Sequence, residues 1–146
     1  MVSMLDVVMT IHTVFAALWT GGTLVVAGGV LPAARRELLG EEALALIGRR
    51  FSYLTIASVL GLLFTGGHLA GTLYTFESLQ STGRGHLVLT MVGLWLVLPI
   101  ALYGGFRKLR DISPNQSMAT AATAARPWFL AASVVAIALL VVAGLL

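Results

Sequence analysis

The chain has no cysteine, which removes disulfides, iron–sulfur clusters, thiolate metal sites and covalent haem attachment through C-x-x-C-H. Any metal chemistry must therefore use imidazole, thioether or oxygen ligands. Charge is scarce as well. Asp, Glu, Lys and Arg make up 10% of the 146 residues against 58% hydrophobic, too little polar surface to clothe a soluble domain. Also missing are a nucleophile–base spacing, a phosphate-cradling glycine loop, H-E-x-x-H and paired membrane carboxylates, so hydrolysis and phosphoryl transfer have no motif. A redox or binding component is expected rather than a stand-alone enzyme.

What is present is apolar sequence in four long runs, at about residues 4–31, 51–76, 85–106 and 119–146. Each approaches or exceeds the ~20 residues needed to cross ~30 Å of hydrocarbon. The expected fold is an all-α, integral membrane four-helix bundle, one domain over residues 1–146, multi-pass in the cell membrane. The first run carries Asp6 and has no basic leader, so it reads as a retained helix and not a signal peptide.

The few charges mark topology. Arg35, Arg36, Arg49 and Arg50 flank the first connection and Arg107, Lys108, Arg110 and Arg126 the third, whereas the second has only Arg84. The positive-inside rule then puts both termini and the second connection outside. Orientation accounts for these basic residues, so no nucleic-acid partner is expected. The segment Arg35 to Ile47 interleaves apolar and charged residues and is expected to lie along the interface. Ser113-Pro114-Asn115-Gln116 reads as a turn. Tyr53, Tyr103 and Trp128 fall near one boundary and Tyr74 near the other, as interfacial rings do, while Trp19 and Trp95 lie deeper, where an indole N–H needs a partner.

Ionisable residues inside spans are costly, so His12, His68 and His86 stand out. Counted from the ends of their runs, His12 and His68 each lie about 12 Å into the membrane, and His86 is shallower by about 9 Å. Around His68 the helical stripe holds Ala57, Gly61, Thr65, Thr72 and Thr75, which places it toward protein. His12 shares a stripe with Ala16, Trp19 and Thr23, and His86 with Thr90 and Gly93.

Two imidazoles from different helices facing one gap suit a b-type haem, with His12 and His68 as axial ligands. Arg84 and His86 would sit near the propionates, and Trp19 and Gly67 would line the pocket. Copper is the alternative: Met9 lies one turn from His12 and Met91 one turn beyond His86, and thioethers favour Cu(I). Glycines crowd the first three helices, among them Gly21-Gly22, Gly61, Gly66-Gly67 and Gly104-Gly105, and let helices approach closely in lipid. The glycine-rich faces also fit a homo-oligomer or a structural small subunit of a larger membrane complex.

The stretch Ile11 to Gly22, with His12 followed by Trp19-Thr20-Gly21-Gly22, resembles the opening of CopD-like copper-resistance membrane domains. Arg49-Arg50-Phe51, Thr65-Gly66-Gly67 and Gly83-Arg84-Gly85 are similar in order and spacing, so the resemblance spans roughly the first 110 residues. It implies a membrane bundle associated with copper uptake. A more distant likeness to HemJ-type proteins implies haem binding. That pattern has a lysine in the third helix, where this chain has His86, Thr90 and Met91, its only lysine being Lys108.

Overall fold

Helices begin where the sequence offers a cap. In the computed structural model, which describes residues 1–146, Ser3 closes a reciprocal capping box with Asp6 at the start of α1 (Met4–Arg35). The second helix, α2 (Glu41–Leu73), follows Gly40 and carries Glu41 and Glu42 in its first turn, where the helix dipole favours acid. Thr75 caps a short helix, α3 (Phe76–Ser81), that the apolar pattern did not predict. Thr82 caps α4 (Gly83–Arg110) and Ser117 caps α5 (Met118–Leu145). The architecture is all-α, and four of the helices, α1, α2, α4 and α5, are long and apolar enough to cross a membrane.

Several helix boundaries depart from the sequence expectation. Residues 41–47 continue directly into α2 instead of forming a separate interfacial helix, so α2 starts ahead of Phe51. At its other end α2 stops at Leu73, because Tyr74 and Thr75 take extended backbone that turns the chain into α3. Beyond Leu31, α1 runs on to Arg35 through a π turn at Val26–Val30. The cause is Pro32. It has no N–H for the Gly28 carbonyl and its ring crowds that carbonyl, so the ladder widens and Leu31 N–H bonds Val26 O. The helix then ends in a Schellman pair, Leu38 N–H to Ala33 O at 2.9 Å and Glu37 N–H to Ala34 O at 3.1 Å, with Glu37 in the left-handed region at φ 57°.

The chain folds as two antiparallel hairpins, α1 with α2 and α4 with α5, joined mainly through α1 and α5; of the neighbouring pairs, α2 and α4 touch least. Eight of the nine Lys and Arg side chains, all but Arg84, lie at the end with the 36–40 and 111–117 connections, here the basic end. Aromatic rings set into glycine notches hold the hairpins closed. Phe15 fills the notch at Gly61, Phe51 that at Gly22, Trp128 that at Gly104 and Phe129 that at Gly105. A ladder of Phe51, Phe106 and Phe129, with centroids 5.7 and 5.1 Å apart, then ties α2, α4 and α5 together near the basic end.

Lipid tails are as apolar as leucine, so fit between surfaces, not expulsion from water, closes these seams. A Cβ at Gly61 would stand 2.6 Å from the Phe15 ring. Gly61→Val is expected to destabilise the bundle by about 1–3 kcal/mol through overpacking. Thermal unfolding in detergent measures it, and an unchanged midpoint would mean that the Phe15 notch does not hold the hairpin.

Candidate metal site

At the end opposite the basic one, α1 and α2 cross with His12 in their seam. The imidazole packs on Gly66, where a Cβ would come within 3.2 Å of Cε1, and its Nδ1 lies 2.8 Å from Thr65 Oγ1. Thr65 Oγ1 in turn lies 2.6 Å from the Gly61 carbonyl. A carbonyl only accepts, so the hydroxyl proton points to Gly61, and the same oxygen accepts from Nδ1–H of His12. The relay fixes a neutral tautomer with its lone pair on Nε2, the arrangement seen when a carboxylate or carbonyl orients a metal-binding histidine.

The other two histidines do not join it. His68 is exposed and its ring makes no hydrogen bond, which corrects the expectation that it faces protein. The buried stripe of α2 runs through Phe51, Ser58 and Leu69, and His68 stands one residue, about 100°, away from Leu69. Nor are His12 and His68 level. His12 meets Thr65 and Gly66, so His68 lies a further two to three residues, about 3–5 Å, toward the end of α2. His86 is exposed at the start of α4, its Nε2–H donating to the Gln80 carbonyl at 2.8 Å, and Arg84 beside it is also exposed. No group of three or more His, Asp or Glu side chains comes together here as a metal cage.

The remaining predicted contacts are structural. Trp19 is fully enclosed and donates its indole N–H to Thr55 Oγ1 at 3.2 Å, leaving no ring surface for a cofactor. Gly67 is exposed with open space around it; the close approach belongs to its neighbour Gly66. A haem held between His12 and His68 is therefore unsupported, since the His68 imidazole is on the outer surface of α2 while His12 is packed on Gly66. Asp6 is committed to the Ser3 capping box through contacts of 2.7 and 2.9 Å, so it does not orient His12.

Of the two predicted methionines, Met9 is exposed and Met91 half-buried. Met9 precedes His12 by three residues on one face of α1, and Met91 packs inward against the core. The contact of Phe106 with Gly48 and Phe51 sets the antiparallel register of α4 on α2, and carried along it brings Met91 to the level of residues 63–66, hence of His12. Sequence reasoning missed Thr65 as the partner of His12. The signal was there in Gly61 and Thr65 at a spacing of four, the geometry by which a threonine hydroxyl bonds back to the preceding turn.

A large cavity, about 1020 Å³, lies elsewhere. It opens between α2 and α4 at the basic end, between Tyr53 and Tyr103, and is lined by Arg49, Arg110 and Phe106 but no histidine. Its place follows from the sparse contact between those two helices. Two buried polar atoms in the middle of the chain's spans, Ser58 Oγ and Trp95 Nε1, have no partner.

The fold and the spans define a multi-pass integral membrane protein of the α-helical bundle class. A family model described as copper resistance protein D matches residues 45–146, and the chain belongs to that CopD family. His68, His86 and Met91 fall within the match, whereas Met9 and His12 precede it. No curated protein and no solved structure matches the chain significantly.

The relay predicts a readable proton. In ¹⁵N-histidine NMR of the detergent-solubilised protein, His12 should carry its proton on Nδ1. Thr65→Val, which keeps the shape and removes the acceptor, should release the ring to mixed tautomers. A wild-type ring protonated on Nε2 would contradict the relay.

Proposed function

We propose that this protein holds copper, as cargo, at the outer side of the membrane, with both termini and the 74–82 connection on that side. The observation that carries the reading is His12, whose Nε2 lone pair is aimed and left free by Thr65. Family membership supports copper as the ion. Ligand distribution supports the place: all three histidines and four of the five methionines, all but Met118, lie in the half of the bundle away from the basic end.

The donors choose the oxidation state. His12 Nε2 with the thioethers of Met9 and Met91 is a neutral, partly soft set that suits Cu(I). The nearest carboxylate, Asp6, is engaged by Ser3, so a dication would go uncompensated in a half-buried seam. Exposed His68 and His86 stand nearer the surface, where they can receive the ion before His12 does. Three neutral donors and no carboxylate give a site that releases its ion readily, which fits delivery better than storage.

Competition titration of the purified protein with Cu(I) and a chelating indicator tests the reading. His12→Ala is expected to abolish the tighter binding event, and Thr65→Val, acting through orientation, to weaken it by about 10–100-fold. Met9→Leu and Met91→Leu should each weaken it less, and His68→Ala should slow capture without removing the site. Tight binding that survives His12→Ala but not His68→Ala would move the site to the outer surface of α2.

A further inference from the structure

At the basic end a second, smaller cavity of about 180 Å³ lies between α1 and α5, and two arginines line it, half-buried Arg35 and exposed Arg126. Their surroundings are unusual. The remaining lining residues are apolar or proline, including Ala27, Leu31 and Leu130, and no carboxylate is among them. The chain's one salt bridge is Arg107 with Asp111, so neither arginine has an acidic partner. Arg35 Nε is moreover buried with no hydrogen-bond partner.

A buried charged donor left unpaired is costly, and two like charges facing one hollow add repulsion. Both costs disappear if the cavity holds an anion. The backbone brings this about deliberately: the π turn forced by Pro32 adds one residue to the ladder just before Leu31–Arg35, shifting that segment's face so that Leu31, Pro32 and Arg35 meet α5. With each water taking about 30 Å³ of liquid, the cavity has room for roughly six waters, enough for a tetrahedral oxyanion.

We infer that Arg35 and Arg126 form a binding site for the phosphate of an anionic phospholipid. Paired guanidinium forks match phosphate oxygens, and basic pockets between spanning helices are where anionic headgroups bind. The lipid source follows from position. Arg126 stands beside Pro127 and the interfacial ring of Trp128, and the apolar wall of Ala27, Leu31 and Leu130 gives an acyl chain a surface to follow. The lipid would clamp α1 to α5, the larger of the contacts that join the two hairpins.

Native mass spectrometry of the full chain in mild detergent, with added phosphatidylglycerol or phosphatidylethanolamine, tests this. Phosphatidylglycerol should bind more tightly, and R35Q/R126Q should lower its affinity by about tenfold or more, the equivalent of losing a charged hydrogen bond. R36Q/K108Q removes the same charge from exposed positions at the same end and should change nothing. R35K/R126K keeps the charge and the fold but loses the Nε–H fork, and should also lose affinity. Equal loss in R36Q/K108Q, or full retention in R35Q/R126Q or R35K/R126K, would overturn the site. Displacement of the lipid by millimolar inorganic phosphate would overturn the lipid as occupant in favour of the free anion.

Discussion

Ring-in-notch packing is the constraint on which this bundle rests. Within a bilayer the exclusion of water does not pull helices together, so shape has to. Phe15 on Gly61 and Phe51 on Gly22 fix α1 against α2, and Trp128 on Gly104 and Phe129 on Gly105 fix α4 against α5. Each pair sets a depth as well as a distance. With Phe15 seated at Gly61, one turn further brings His12 onto Gly66 and within reach of Thr65. The chemistry of the seam thus inherits its register from packing, and a slip of one residue between α1 and α2 would part the relay.

Much of this was legible from the sequence, because bilayer physics speaks through composition and length. The four spans, their connections and the basic end follow from apolar runs and the placement of arginines. The Ser113–Gln116 turn is present, Gln116 N–H meeting Ser113 O at 2.9 Å. The start of α2 at Glu41 escaped a hydropathy reading, since its first turns are polar and protrude beyond the apolar run. The short α3 escaped it as well: it is held by the Thr75 cap and by Gly85, against whose bare Cα the Ser78 and Leu79 backbone packs, a contact no periodicity reports.

The site was half legible for a different reason. A histidine in a span announces itself by type, but its direction depends on where the buried face of its helix is centred. The stripe drawn through Gly61, Thr65 and His68 is sound as helical geometry, yet the face turned to α1 centres closer to Ser58, Thr65 and Leu69. That small rotation puts His68 on the surface and leaves Thr65, not a second imidazole, opposite His12. The glycine next to Thr65 makes the same point: Gly66 carries the close approach and Gly67 has open space around it.

Polarity then separates the two ends by the charge they accept. The histidine end offers neutral lone pairs and no free interior carboxylate, which welcomes a soft monovalent cation and little else. The basic end presents eight of the nine Lys and Arg side chains, and both of its cavities are lined by arginine. A cation crossing from one end to the other would pass fully enclosed Trp19 and then meet that positive field, where Glu41 is the one acidic residue lining either cavity. The arrangement is therefore poorly suited to a through-conduit. It suits the one-sided copper handling proposed above, with the proposed anionic lipid at the opposite end.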